Sequence, residues 1–446
     1  MSINIKIEHD KLRANGTTST GLLVEVTAPA APAAETAIIR KPQGVVFVID
    51  RSGSMGGGRL ELVKHTVLDL LPRLNKDDYF SVVTFDDRPE VEIPLVRLGD
   101  ANIKQLRKTI EGLHPGGSTN LEMGYRVGIA EAAKSPEGTE CQVILLSDGQ
   151  ANAGVQDPAL LAQLAAAATE HLISTSTLGI SHGYNDQILS ALSERGNGNH
   201  FAAVTVAEAV TGLNDEFDDL LASTITDLRV IIEYGLTHDQ SGSVIRTPQT
   251  LNSFHFDGGV QAVAECGNLA SEEEKNFIFE AVTKMNTGEN HEFTWGSAIT
   301  VTCQWTELGV FKESKSFFDL SIVSDANWIE PAKDEDVVAE LALSRAQDQR
   351  EAAIAARRAG DYQMSLTYMS EGENRLLDML NNPNLTERQR QRILVQLEEH
   401  TNLMSLDNDD EFIKRGMESV HRARRAKADP RRKQRPVDPQ DPGQQN

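Results

Sequence analysis

At 446 residues the chain is too long for one ordinary domain, and about two or three are expected. Its net charge of −23 argues against general binding to nucleic acid or to an anionic membrane surface. With 39% hydrophobic residues and no apolar run approaching a membrane span, a soluble globular protein is expected.

Residues 1–7 alternate like a strand and lack the apolar core of a signal peptide, so the cytoplasm is the expected compartment. Cys141, Cys266 and Cys303 are widely spaced and fit neither a zinc pattern nor a disulfide framework; they read as small buried hydrophobes. The segments 3–8 and 19–28 read as strands, followed by an Ala/Pro linker at 28–34. Then Val45-Val46-Phe47-Val48-Ile49 ends abruptly in Asp50-Arg51-Ser52-Gly53-Ser54-Met55. This pattern predicts a buried parallel strand delivering oxygen donors to its C-terminal end, where open α/β sheets bind ligands. One carboxylate and two hydroxyls are hard donors that suit Mg²⁺ or Mn²⁺ rather than zinc.

A helix follows, with Leu60, Val63, Val67, Leu70 and Leu71 on one face. Strands at 79–85 and 90–95 and helices at 103–113 and 121–133 come next, with Gly116-Gly117-Ser118-Thr119-Asn120 between the helices. The two glycines suggest a loop that changes conformation at low cost. Val143-Ile144-Leu145-Leu146-Ser147-Asp148-Gly149 repeats the apolar strand with a terminal acid. A proline-opened helix at 158–171, a strand at 173–179, and helices at 186–195 and 206–222 around a short strand at 199–203 complete an alternating region. Strands alternating with helices imply a parallel sheet covered on both faces.

Beyond Thr224 the pattern turns to short strands, at 228–234, 254–256, 276–282, 298–305 and 317–323. From Glu335 the chain is helical. Val337, Leu341, Ser344, Ala346, Ala353 and Ala356 form a small-residue face, Gly360-Asp361-Tyr362 a break, Thr386 a cap, and residues 412–426 a last helix. The break resembles the inter-helix turn of helical-repeat hairpins. These helices serve either to brace the sandwich or to dock a partner. From His421 to the end, eight Lys or Arg face three Asp, a net of +5, which leaves about −28 on residues 1–420. The tail at 428–446 is rich in Pro, Gln and Arg and is expected to be disordered.

The expected fold is therefore α/β. A doubly wound, mostly parallel sheet (43–224) is inserted in an all-β sandwich made from both flanks (1–42 and 225–330). A helical bundle (331–427) and a basic tail (428–446) follow.

The trio D-x-S-x-S at 50–54, a separate Thr119 and a separate Asp148 resembles the metal-ion-dependent adhesion site of the von Willebrand factor type A family. The segment from Thr177-Leu178-Gly179-Ile180 through Tyr184-Asn185 to Gly196-Asn197-Gly198-Asn199-His200-Phe201 resembles the closing part of bacterial members. The resemblance implies a Rossmann-like fold in an intracellular, multidomain protein. It also implies a metal held by Ser52, Ser54 and Thr119 directly and by Asp50 and Asp148 largely through water. Mg²⁺ or Mn²⁺ is the expected ion, with Ca²⁺ also admissible. A coordination position is left for a partner's Asp or Glu, and Met55, Gly117, Ser118, Asn120 and Asn152 are the loop residues around it. By resemblance the chain is a non-enzymatic adaptor or scaffold, with an ATPase, kinase or phosphatase as partner class.

Taken singly, Ser52 or Ser54 reads as a helix N-cap, Thr119 as another, and Asp148-Gly149 as a turn. Their joint order on suitable elements favours the metal site. A metal-dependent phosphotransferase of the haloacid-dehalogenase type also places an Asp after its first strand. Ser52, however, stands where a second Asp would act as general acid. A nucleotide loop at Ser54-Met55-Gly56-Gly57-Gly58-Arg59 lacks the Lys-Ser/Thr pair. The oligomeric state is not readable from these patterns.

Overall fold

The computed structural model describes residues 1–30, 42–148, 152–180, 184–203, 206–235, 244–246, 254–257, 261–286, 292–307 and 309–424. Most of the Ala/Pro linker and the whole basic tail lie outside the described residues.

The central sheet has the order β6-β5-β4-β7-β8-β9. β4 (Gln43–Asp50) is buried along its whole length. β5 (Tyr79–Phe85), β7 (Glu140–Ser147), β8 (Ile173–Ile180) and β9 (Asn197–Ala203) run parallel with it, and β6 (Pro89–Arg97) closes one edge antiparallel to β5. Side chains alternate between two apolar cores. Val45, Phe47 and Ile49 meet α1 (Arg59–Leu70), α2 (Ile103–Glu111) and α6 (Val206–Leu221). Val46 and Val48 meet α3 (Leu121–Ala132), α4 (Pro158–Thr169) and α5 (Asp186–Arg195). This two-sided burial explains why the strands are continuous apolar runs. From β4 the chain winds outward through β5 and β6, then returns to β7 on the other side of β4. The winding reverses between β4 and β7, whose C-terminal ends carry Asp50 and Asp148. A switch point of this kind opens a crevice for a ligand.

The flanking strands pack as a sandwich. One sheet has the order β1-β3-β14-β11, with β1 (Ser2–Ile7), β3 (Asn15–Thr27), β14 (Glu274–Asn286) and β11 (Val244–Arg246). The other has the order β12-β13-β10-β15-β16-β2, with β12 (Phe254–Asp257), β13 (Gln261–Ala270), β10 (Ser223–Tyr234), β15 (Phe293–Glu307), β16 (Val310–Val323) and β2 (Lys11–Arg13). β3 pairs with β14 from Asn15 opposite Asn286 to Thr27 opposite Glu274, so strands from before and after the α/β unit share one ladder. Leu22, Val24, Phe277 and Phe279 of one sheet meet Val230, Val301, Leu320 and Ile322 of the other in a single core. β2, β11 and β13 are absent from the sequence reading. β13 turns the small side chains Ala262, Ala264 and Cys266 inward, then Leu269 beyond an irregularity at Gly267 (φ +67°), so its apolar alternation is too weak and too broken to register.

α7 (Glu335–Arg358), α8 (Tyr362–Leu380), α9 (Glu387–Met404) and α10 (Asp409–Arg424) form the last layer. Asp334 caps α7, accepting from the Asp336 and Val337 amides, and Thr386 with Gln389 makes a capping box on α9. α10 begins three residues before the expected position, at Asp409. These helices brace both neighbours. Val337 and Leu341 bury against Leu23 and Ile278 of the sandwich. Arg358 pairs with Asp186, Arg415 with Glu208 at 3.3 Å, and the Lys414 ammonium lies 5.1 Å from the Tyr184 ring, all on the α/β unit. The three cysteines are buried free thiols, and burial pushes Cys303 up to about 12, far from thiolate reactivity. No helix among the described residues is long and apolar enough to cross a membrane.

Candidate metal centre

Asp50 is fully buried at the end of β4. Its Oδ1 accepts the Ser52 amide at 2.8 Å and its Oδ2 accepts the Ser147 hydroxyl at 2.6 Å, which fixes the carboxylate in one orientation. The chain then makes a short 3₁₀ turn, Gly53–Met55. This turn places the Ser52 and Ser54 hydroxyls 3.0 Å apart, and Ser54 Oγ donates to Asp148 Oδ1 at 2.7 Å. Ser52, Ser54 and Asp148 thus form one string of oxygens beside Asp50. Burial raises the Asp50 carboxyl above its ordinary range. The Ser147 and Ser52 hydrogen bonds oppose that shift, and the nearby Asp148 charge adds to it.

Thr119 reaches the same end of the sheet on the loop between α2 and α3, and it is buried. Gly53 N donates to Gly117 O at 3.0 Å, which zips this loop to the Ser52–Ser54 turn. Asn152 grips it from the other side: its Oδ1 accepts the Thr119 amide at 3.0 Å, and its own amide donates to Thr119 O at 3.2 Å. All five expected ligand residues therefore lie on adjoining loops at the switch point, and four of them are linked by hydrogen bonds.

The rim differs from the sequence reading. Met55 is fully buried in the core with Leu60 and Val63, so it is not a partner contact; the turn that aims Ser54 at Asp148 swings Met55 inward. Asn120 is nearly buried and caps α3, its Oδ1 accepting the Met123 amide at 3.2 Å, so it too is structural. Asn152 is exposed as expected and also holds Thr119. Gly117 and Ser118 are exposed. The loop is less free than its glycines suggest. Asp87 Oδ1 accepts the Ser118 amide at 2.9 Å, and a Cβ on Gly117 would come 2.3 Å from Asp87 Oδ2. Glycine serves close approach here, not conformational change. Gly117→Ala is expected to displace Asp87 and cost about 1 kcal/mol of stability, read as a lowered melting temperature.

Two residues with no sequence signal shape the electrostatics. Arg59, on the first turn of α1, donates through Nη1 to Asp148 Oδ2 at 2.9 Å and to Ser54 O at 2.7 Å. Arg51 faces Asp86 at 3.1 Å, Glu90 at 3.0 Å and Glu92 at 3.5 Å. Among the described residues no cluster of three or more His, Cys, Asp or Glu could hold a metal. The constellation therefore offers two carboxylates plus hydroxyls, a hard-oxygen set that fits Mg²⁺ or Mn²⁺. A carboxylate raised chiefly by burial, with a second carboxylate adding to the shift, is also the electrostatic setting a cation would relieve.

A family model described as von Willebrand factor type A domain matches residues 44–216. Among curated proteins, the chain is similar to the uncharacterized protein sll0103 of Synechocystis sp., 29% identical over 243 residues, covering 53% of this chain and 56% of that one. It is also similar to inter-alpha-trypsin inhibitor heavy chain H3 of Homo sapiens, 26% identical over 243 residues, covering 53% of this chain and 26% of that one. The chain thus spans about half the length of the first relative and about a quarter of the second. Among solved structures, a von Willebrand factor type A protein from Catenulispora acidiphila superposes with a TM-score of 0.68 at 12% identity, covering 95% of this chain and 96% of that one. The ArnB paralog VWA2 from Sulfolobus acidocaldarius gives 0.61 at 14%, covering 95% and 98%. At such identity these two show a shared fold that extends over the sandwich and helices as well. Family match, strand order and the switch point between β4 and β7 agree that residues 44–216 of this chain are a von Willebrand factor type A domain.

Proposed function

We propose that this chain is a metal-dependent protein–protein interaction module, an adaptor or scaffold rather than an enzyme. Asp50, Ser52, Ser54, Thr119 and Asp148 would hold Mg²⁺ or Mn²⁺, with Ca²⁺ as a third candidate. The partner would present an Asp or Glu side chain; an ATPase, kinase or phosphatase is a suitable partner class. The observation that carries this reading is the string Ser52–Ser54–Asp148 beside the buried Asp50 at the switch point.

Each residue has a separable task. Ser147 and the Ser52 amide aim the Asp50 carboxylate. Ser52 and Ser54 would turn their hydroxyl protons away and offer lone pairs. Asn152 and Asp87 hold the Thr119 loop at its position. A bound divalent ion would supply Lewis acidity and a vacant position for a carboxylate oxygen. With two acids in the set, the affinity is expected to be modest.

The phosphotransferase alternative has less support. Both Asp50 oxygens are engaged by Ser52 and Ser147, and Ser52 offers no acid proton for general catalysis. Lys64, on the neighbouring helix, is occupied by Glu61 at 2.8 Å and Leu113 O at 3.1 Å.

Calorimetric titration of the full chain with MgCl₂ and MnCl₂ tests the reading; a folded chain that binds neither ion overturns it. Arg59 makes the test sharper. Its guanidinium partly neutralises Asp148, so Arg59→Ala is expected to tighten Mg²⁺ binding by about two- to fivefold, the scale of a part-exposed ion pair. The same variant should melt slightly lower without metal. Unchanged or weaker Mg²⁺ binding would show that Arg59 does not set the charge of the site.

A further inference from the structure

The outer sheet of the sandwich ends in a strand whose far side is mostly open. β2 covers β16 only at Ser321–Val323, and over residues 310–320 β16 pairs with β15 alone among the described residues. An open edge of this length is a template for another strand, and proteins commonly blunt such edges with lysine or bulges. Here Lys312 is turned back onto Glu307 at 2.8 Å, which leaves the edge unguarded by it.

The outward row of β16 is Phe311, Glu313, Lys315 and Phe317, whereas Leu320 and Ile322 on the other row enter the sandwich core. Phe311 is 65% and Phe317 60% exposed, an unusual pair of aromatics on a strand edge. Lys315 reaches Glu313 at 3.4 Å within the same row. The segment Val310-Phe311-Lys312-Glu313-Ser314-Lys315-Ser316-Phe317 is its own antiparallel complement about Ser314. If two such strands pair with Ser314 opposite Ser314, Phe311 lies opposite Phe317 of the second copy and Glu313 opposite Lys315 of the second copy. Twofold symmetry then repeats both pairs. Directly opposed residues of an antiparallel pair share a face, so four favourable cross-strand contacts form in one row.

We propose that β16 is a homodimerisation edge, which a second copy of this chain joins antiparallel in this register to make one continuous sheet across the twofold axis. The occupant is a second copy because this strand itself supplies the charge and aromatic complement, in register about Ser314. A contact of one strand pair is small, so association should be reversible and concentration-dependent. It uses a different sheet from the one that carries the candidate metal ligands and does not depend on the metal.

Sedimentation equilibrium of the full chain from about 1 to about 200 µM tests the proposal. The expected result is a mass rising from 48.8 kDa towards twice that value with concentration. Glu313→Lys and Lys315→Glu each place two like-charged pairs across the axis and should weaken the dimer about tenfold. The double reversal Glu313→Lys/Lys315→Glu restores complementarity and should recover wild-type association. All these positions are solvent-facing, and circular dichroism melting checks that each variant is folded. A chain that stays at 48.8 kDa overturns the proposal, as does a dimer that ignores both single reversals or fails to recover in the double variant. If a single variant misfolds, the wild-type mass and the double variant still decide. A mass that changed on adding Mg²⁺ or chelator would put the interface elsewhere and also overturn it.

Discussion

Asp50→Asn is expected to abolish stabilisation by Mg²⁺ while leaving the metal-free chain at least as stable as wild type. Asp50 is fully buried, and its carboxyl is raised by burial, with Asp148 adding to the shift. An amide keeps an acceptor for the Ser52 N–H, and the Ser147 hydroxyl can rotate to meet the other atom, so the hydrogen bonds survive. The buried charge and its repulsion from Asp148 are removed. For the wild-type chain, an ion at a hundred times its dissociation constant should add about 2.7 kcal/mol of stability. In the variant a formal charge is missing from a site with only two, and this gain should vanish. Thermal melts of both chains with and without Mg²⁺ measure it. A variant that unfolds without metal would make Asp50 a structural residue, and one that still gains stability from Mg²⁺ would move the ion elsewhere.

Asp50 and Asp148 were legible because two buried parallel strands leave uninterrupted apolar runs, and an acid ending each run has no role in the core. Ser52 and Ser54 were legible from their spacing. What surrounds them was not, because it depends on contacts between distant segments. Asp87 meets Ser118 from the turn between β5 and β6, and Arg59 meets Asp148 across 89 positions. Met55 reads as a loop residue beside the ligands, yet a 3₁₀ turn buries it. Asn120 reads as rim, yet it is the cap of α3. Gly116 and Gly117 suggest mobility, and only the nearby Asp86 and Asp87 carboxylates reveal that they permit close packing. In the sandwich, long ladders such as β3–β14 left alternating apolar signals on both flanks. β13, whose inward residues are the small Ala262, Ala264 and Cys266 and a single Leu269 past an irregularity, left almost none.

The largest loss of stability is expected from Arg350→Met in the helical layer. Arg350 of α7 is fully buried and knits α9 and α10 to it. Nη1 reaches Glu399 at 3.2 Å and the Ser419 hydroxyl; Nη2 donates to Gln396 Oε1 at 2.9 Å and to His400 Nδ1 at 2.7 Å. Methionine fills part of the volume but leaves the His400 Nδ1 without its donor and the Glu399 carboxylate without the Arg350 cation, with Ser419 and Gln396 still donating to it. Breaking a buried ionic network by removing one member costs about 3–5 kcal/mol. Calorimetry should show an earlier, separate melting of the helices, as expected when domains stop unfolding together. The network also predicts acid sensitivity. An arginine donating to Nδ1 requires the His400 proton to sit on Nε2, so the ring is neutral. Burial, with the Arg350 charge second, lowers its pKa to about 3 from an ordinary 6.5. A depressed histidine contributes stability that is complete above the unfolded value and is lost as pH falls from 6.5 towards 3. In Arg350→Met the cationic part of that depression disappears and burial remains. The acid-side loss should therefore be smaller than in wild type, although the variant is less stable at neutral pH. An acid-side loss equally large in both chains would mean that Arg350 and His400 are not coupled.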